Sequence, residues 1–220
     1  MRRLFIHEWP DWPRFVLYIA ILAEPLGQVR HKQGRLIGHM GALGFKLRQE
    51  AVLGTLTTDV IKSSEIEGAR LDPEQVRSSI ARHLGIDVGA LKAPDRHVEG
   101  IVQIMLDATG RYEEPLTEER LLAWHAALFL AGRSGLTKVR VGSWRDDSTG
   151  PMQVVSGPMG KERVHFVAPG ASRLAGEMQT FLNWFNGQEE LDPVVKGDWR
   201  IFGSSLFIRW MTATGGLRVP

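Results

Sequence analysis

The chain has 220 residues, 43% of them apolar, which is enough to bury a core as one domain or as one domain with a helical extension. It contains no cysteine, which excludes disulfides and thiolate metal sites. Its 27 Lys and Arg are interspersed with 25 Asp and Glu, so no basic stripe forms and direct nucleic-acid binding is not expected. No apolar run is long enough to span a bilayer, and the first residues lack a signal-peptide core. We therefore expect no membrane partner and a cytoplasmic location.

The N-terminal part has the spacing of three helices. Apolar residues predict a first helix over residues 14–43, interrupted near Pro25, and a second over residues 48–68. An Asp followed by Pro begins a third predicted helix, which covers residues 72–84. The Gly- and Pro-containing segment 85–95 then marks a domain boundary, so residues 1–94 are predicted to form a helical extension.

The second half mixes helices with one hairpin. Helical spacing predicts helices over residues 98–112, 117–130 and 171–186. Between the last two, Gly and Pro punctuate two short β-prone runs, residues 152–155 and 163–167. The predicted fold class is therefore mainly α, a helical bundle with an N-terminal extension and one projecting β-hairpin.

A hexapeptide, Ser63-Ser64-Glu65-Ile66-Glu67-Gly68, ends the second predicted helix. Taken alone, a Ser-rich turn followed by Glu-Gly is usually explained by helix termination. Its position ahead of a helical core with a hairpin favours a functional explanation instead.

The order of elements from residue 7 to about residue 195 resembles one subfamily of Fic-type (filamentation induced by cAMP) enzymes, which carry an N-terminal helical extension with an inhibitory helix. Together the matching segments cover most of the chain. They are Trp9-Pro10-Asp11-Trp12-Pro13, Arg30-His31-Lys32-Gln33-Gly34-Arg35-Leu36, the hexapeptide, Leu71-Asp72-Pro73-Glu74-Gln75-Val76-Arg77-Ser78-Ser79-Ile80, Trp124-His125-Ala126-Ala127-Leu128-Phe129, Gly142-Ser143-Trp144-Arg145 and Val154-Val155-Ser156-Gly157.

The resemblance implies transfer of AMP from ATP, with Mg²⁺, to a hydroxyl side chain of a target protein. It makes the helix over residues 48–68 inhibitory, with Glu67 pairing to the second Arg of the catalytic motif and with Ser63 and Gly68 at the same helix end. It makes residues 150–167 a flap that registers the target by strand addition through Val154, Val155, Ser156 and Gly157. Residues 95–196 then form a partial Fic core.

The catalytic loop of that family, His-Pro-Phe-x-x-Gly-Asn-Gly-Arg, is absent from the chain. The resemblance ends near Lys196, and residues 197–220 form an out-of-family tail without His. His125, among apolar neighbours, is interpreted as a core residue. We therefore assign no catalytic residue and no metal ligand, and expect a chain that is inactive as written and does not bind ATP and Mg²⁺ productively.

The codons that can encode the tail also permit a different amino-acid sequence in another reading frame. Trp210-Met211-Thr212 is encoded TGG-ATG-ACN, so reading from the third base forces two consecutive Asp codons. In that frame residues 212–216 permit Gly-Asn-Gly-Arg, and residues 217–219 permit Ile-Ala-Arg. Upstream, residues 199–203 permit Ala-His-Leu-Trp-Phe, and residues 206–209 permit Ile-His-Pro. We interpret the tail as the product of a frameshift near Lys196-Gly197 that removed the catalytic motif.

Two other function classes stay open. The first is a non-catalytic helical module that binds a partner protein through the extension and the flap. The second is a helical transcription regulator, which the charge pattern does not support. Association with further copies of the chain is also left open.

Overall fold

The computed structural model describes residues 10, 18–66, 68–89, 92–129, 133–134, 137–138, 140–148, 150, 153–158, 160–187, 192–197 and 217–218. Over these residues the chain is mainly helical with a β-hairpin, which confirms the predicted fold class. The chain divides into two compact units. The helical unit consists of Glu24–Pro115 and Arg120–Ala131, and the hairpin unit consists of Met1–Ala23, Leu116–Glu119 and Gly132–Pro220. Across the described helices, none combines the length and apolarity that crossing a membrane requires.

The helical unit is built from five helices, which are α1 (Ile19–Ala42), α2 (Phe45–Ile66), α3 (Pro73–His83), α4 (Arg96–Gly110) and α5 (Glu118–Leu128). The ends of α1 and α5 extend into the residues of the other unit. The predicted interruption of α1 at Pro25 is wrong, because α1 continues through it. Pro25 lies in the second turn, where its missing N–H removes a single bond to the carbonyl of residue 21, and the remaining turns hold the helix.

The core of the helical unit lies between α2, α3 and α4. Each of these helices contributes apolar side chains with at most 1% of their surface exposed, and they are Leu53, Val60, Val76, Ile80, Ala81, Val98 and Val102. Complete burial of a Val, Leu or Ile side chain contributes roughly 1.5–3 kcal/mol. Packing of these three helices is therefore the main source of stability in this unit.

Side-chain caps start α3 and α4. Asp72 accepts a hydrogen bond from the Glu74 backbone N–H at 2.9 Å, with Pro73 at the first helical position, as predicted. Asp95 does the same for the Val98 N–H at 2.8 Å. The two helices pack in one compact unit although the predicted domain boundary, between residues 94 and 95, separates them. That boundary stays a prediction.

The hairpin unit contains short strands and one long helix. The strands are β1 (Arg133–Ser134), β2 (Thr137–Lys138), β3 (Gln153–Ser156), β4 (Arg163–Val167) and β5 (Leu217–Arg218). The hairpin of β3 and β4 was predicted, and β5 joins it to give the strand order β4-β3-β5, whereas β1 pairs with β2. The strands β1, β2 and β5 were not predicted, since two residues are too few to show an alternating pattern.

A helix, α6 (Leu174–Asn186), follows the hairpin after a turn of 3-10 helix at Ala171–Arg173. Its predicted inner face is buried at Leu174, Met178, Phe181 and Leu182, and Phe185 is half-buried. The Asn186 side chain bonds both the N–H and the C=O of Leu116, each at 2.8 Å. This bidentate clasp attaches the end of α6 to the segment 116–119 of the same unit.

Candidate functional site

The hexapeptide ends α2 through a Schellman motif. Gly68 has a φ of +81°, a conformation that favours glycine. Its N–H donates to the Glu65 carbonyl at 3.0 Å, and the Ala69 N–H donates to the Ser64 carbonyl at 2.9 Å. These two bonds satisfy carbonyls that a helix end leaves without partners. Helix termination by Gly68 is therefore confirmed.

The side chains of the hexapeptide differ in their surroundings. Ser64 is buried, whereas Ser63 is exposed and Ile66 exposes 83% of its surface. Glu65 forms an ion pair with Lys62 at 2.7 Å on the helix surface. Glu67, the predicted inhibitory residue, lies outside the described residues, and so does nearly all of the tail over residues 198–220. The roles of Ser63, Glu67 and Gly68 in inhibition stay predictions.

The predicted flap is the antiparallel hairpin of β3 and β4. Gln153 pairs with Val167, Val154 with Phe166, Val155 with Val164 and Ser156 with Arg163, with an irregularity in register between Val154 and Val155. Such a bulge increases local twist and is common beside binding sites. The Ser156 hydroxyl and His165 Nε2 lie 2.6 Å apart and link the two strands. Gly157, with a φ of +101°, begins the turn, which explains the glycine there.

A polar cluster fixes the base of the hairpin within its unit. Arg145, with only 8% of its side chain exposed, donates to Asp147 at 2.8 Å and also to the Pro169 carbonyl. Asp147 in turn accepts the Ala171 N–H at 2.7 Å. The Trp144 indole N–H donates to Glu118. The Gly142-Ser143-Trp144-Arg145 segment therefore joins the stretch before β3 to the residues that follow β4.

A second polar cluster joins α4 to α5 in the helical unit. Asp107 accepts hydrogen bonds from Arg120 Nε and Trp124 Nε1, both at 2.7 Å, and from Arg111 at 3.0 Å. Burial raises the pKa of Asp107, but the hydrogen bonds from Arg120 and Trp124 and the nearby guanidinium charges outweigh it, so the pKa lies below its ordinary value. The cluster is satisfied internally, so its role is to position α5.

His125, on α5, is half-buried and packs against Phe129 in a tilted arrangement, with the ring centroids 4.9 Å apart. Burial lowers its pKa, because the protonated ring loses solvation.

A cavity of about 710 Å³, open to solvent, lies between α1 and the bundle of α2, α3 and α4 in the helical unit. Its wall is mostly apolar, with Leu36, Met40, Leu56 and Leu106 among the lining residues, and Arg111 belongs to its polar part. Within the described residues, His, Asp and Glu side chains form no cluster of three that could hold a metal ion. The hexapeptide belongs to the helical unit and the flap to the hairpin unit.

Two comparisons with known proteins give matches. Residues 5–86 match a family model described as a domain of unknown function (DUF4172), which covers less than half of the chain. The chain is also similar to the crystal structure of a Fic family protein from Desulfovibrio desulfuricans G20, at 22% identity and a TM-score of 0.48. That alignment covers 92% of this chain and 56% of the other, so this chain spans little more than half the length of that protein. No curated protein matches.

Proposed function

We propose that the chain descends from Fic-type AMP transferases, enzymes that move AMP from ATP to a hydroxyl side chain of a target protein, and that a frameshift removed its catalytic loop. The observation that carries the proposal is the second frame of the tail. Two of its aspartates are forced, and the surrounding codons permit Ile-His-Pro before them and Gly-Asn-Gly-Arg after them. Agreement in order and spacing over so many constrained codons is improbable by chance.

The motif of the second frame contains the groups that the chemistry needs. A His serves as general base on the target hydroxyl, and a Gly-rich loop at a helix N-terminus presents backbone N–H groups to phosphates. An acidic residue holds Mg²⁺, and Arg offsets phosphate charge. The chain as written contains no His-Pro followed by Gly-Asn-Gly-Arg, so it lacks the loop that would bring these groups together. We therefore expect no productive binding of ATP and Mg²⁺ and no AMP transfer.

The end of α2 supports an inhibitory role for Glu67. The Schellman bonds join Gly68 to Glu65 and Ala69 to Ser64 and so define the end of α2. A helix C-terminus carries partial negative charge, and a carboxylate there adds to it, which favours a cationic partner. The second motif Arg, encoded only in the other frame, is a partner of that kind. In the restored protein, Glu67 would pair with this Arg and keep it from ATP.

The first test is to sequence the source DNA through codon 196 and onward. We expect His-Pro and Gly-Asn-Gly-Arg codons in the frame that starts at the third base. If those codons are absent, the proposal fails without any protein work.

The second test restores the frame by adding one base near codons 196 and 197 and measures transfer of labelled AMP to protein. We expect no transfer by the chain as written and measurable transfer by the restored chain. Glu67→Gln in the restored chain should raise transfer by about ten- to hundredfold, because a hydrogen bond to a charged group contributes roughly 1.5–3 kcal/mol.

The hexapeptide offers a matched control for that variant. Glu65 is paired with Lys62 on the helix surface, so Glu65→Gln should leave transfer unchanged. Equal activation by Glu65→Gln and Glu67→Gln would show that the helix end is simply loosened. Transfer by the chain as written would contradict the loss of the catalytic loop.

A further inference from the structure

The central strand of the hairpin sheet, β3, is paired on both edges. One edge holds β4 in antiparallel register. The other edge holds β5 in parallel register, with Val154 opposite Leu217 and Val155 opposite Arg218. Two of the four flap residues predicted to register a target, Val154 and Val155, therefore already pair with a segment of this chain.

The parallel direction of β5 shows how this segment reaches β3. A parallel neighbour cannot follow through a tight turn and needs a long connection. Residues 157–216, which include β4 and α6, separate the two strands in sequence. The pairing is therefore a long-range contact made by a distant segment of the same chain.

An open strand edge presents N–H and C=O groups that need partners, and any extended segment can satisfy them. Such pairing depends on the backbone, while side chains contribute mainly to specificity. If residues 197–220 come from a shifted frame, the Leu217–Arg218 sequence was never selected to pair with β3. Its pairing there indicates that the edge accepts an extended backbone with little demand on sequence.

We propose that the β3 edge opposite β4 is a docking edge for an extended peptide in parallel orientation, and that residues 217–218 occupy and occlude it in cis. The identity of the displaced peptide, a segment of the target protein, and the low demand of the edge on sequence both rest on the function proposed above. The occupancy by residues 217–218 does not, and it can be tested without ATP or a transfer assay.

The test compares hydrogen–deuterium exchange over Gln153–Ser156 in the full chain and in a chain that ends at Thr214. Loss of the β5 hydrogen bonds should speed exchange of the affected amides on the order of tenfold, because those amides lose their hydrogen-bond acceptors. A Leu217→Pro/Arg218→Pro double variant should behave like the shortened chain, because Pro lacks the N–H and fits a ladder poorly. The Leu217→Ala/Arg218→Ala variant, which keeps both N–H groups, should behave like the full chain.

A labelled peptide with the sequence of residues 214–220 provides a second readout by fluorescence anisotropy. We expect it to bind the shortened chain and the double Pro variant, and to bind the full chain and the double Ala variant at least about tenfold more weakly. Binding to the shortened chain should restore the slow exchange over Gln153–Ser156.

Three outcomes would overturn the proposal. The first is identical exchange over Gln153–Ser156 in the full and shortened chains. The second is peptide binding that is equal, or equally absent, in both. The third is protection of the full chain that disappears on dilution, which would assign the pairing to a second copy. Failure to restore activity by restoring the frame would not change the exchange or peptide-binding results, so the two proposals can fail separately.

Discussion

Helices α1 and α2 are of similar length but differ in how their apolar residues are used. In α1, Leu36 and Ile37 expose 63% and 71% of their surface, and no residue whose exposure is described is buried. In α2, Leu53 and Val60 are fully buried against α3 and α4. The cavity of about 710 Å³ lies between α1 and these three helices. Helical spacing of apolar residues therefore predicts the helix, whereas burial of its apolar face depends on which other elements pack against it.

This difference predicts where truncation costs stability. Ile80→Ala, at a fully buried position in α3, should lower the free energy of unfolding by about 2–5 kcal/mol, because it removes buried methyl groups and leaves a cavity. Leu36→Ala in α1 removes a side chain that is 63% exposed and should change it by less than about 0.5 kcal/mol. Urea unfolding followed by circular dichroism measures both values. Equal losses would mean that α1 is packed as tightly as the core.

A glycine in α4 provides the next largest effect. A Cβ added to Gly100 would lie 2.1 Å from the carbonyl oxygen of Ala127 in α5, which forces the two backbones apart. We expect Gly100→Ala to destabilise the protein by about 1–3 kcal/mol, despite the better helix propensity of Ala. The same unfolding experiment provides the value. Unchanged or increased stability would contradict the close approach of α4 and α5.

The parts of the fold that could be predicted from sequence are those with local signals. Asp72 and Pro73 indicate the start of α3, Gly68 indicates the end of α2, and Gly and Pro residues delimit the hairpin. The predicted interruption at Pro25 is wrong because a single lost hydrogen bond does not break a helix of 24 residues. The exposure of α1 and the pairing of β5 with Val154 and Val155 depend on long-range contacts, which leave no periodic pattern in the sequence.

The polar cluster at Asp107 extends the comparison to electrostatics. Asp107 bonds Arg120 and Trp124 across α4 and α5, so Asp107→Asn should cost roughly 1.5 kcal/mol by weakening charge-assisted hydrogen bonds. Glu24→Gln, at an exposed position of α1, is the matched control and should have almost no effect. Both free energies come from urea unfolding at neutral pH. If Glu24→Gln lowered the free energy of unfolding as much as Asp107→Asn, the Asp107 hydrogen bonds would have no special importance for stability.

The stability difference between the unmodified chain and the Asp107→Asn variant should depend on pH. The pKa of Asp107 is lower in the folded chain than its ordinary value of 3.8, so the folded state favours the carboxylate. Its contribution to stability is fully present at pH values above the unfolded pKa and is lost as the pH falls through the folded pKa. The stability difference between the unmodified chain and Asp107→Asn should be constant above about pH 5 and shrink below pH 4. A difference that grows on acidification would contradict this sign.

The smallest expected effect is a gain of stability in α1. No described atom lies within 4 Å of a Cβ placed on Gly38, so an added methyl group meets no obstacle there. Gly38→Ala should raise the free energy of unfolding by about 0.5–1 kcal/mol, because Ala loses less backbone entropy in a helix. Substitution by Ala is thus expected to raise the free energy of unfolding at Gly38 and to lower it at Gly100. Because both sites are helical, a gain of stability at Gly38 and a loss at Gly100 would separate the effect of packing from that of helix propensity. A loss of stability at Gly38 would instead show that α1 has a close neighbour in solution.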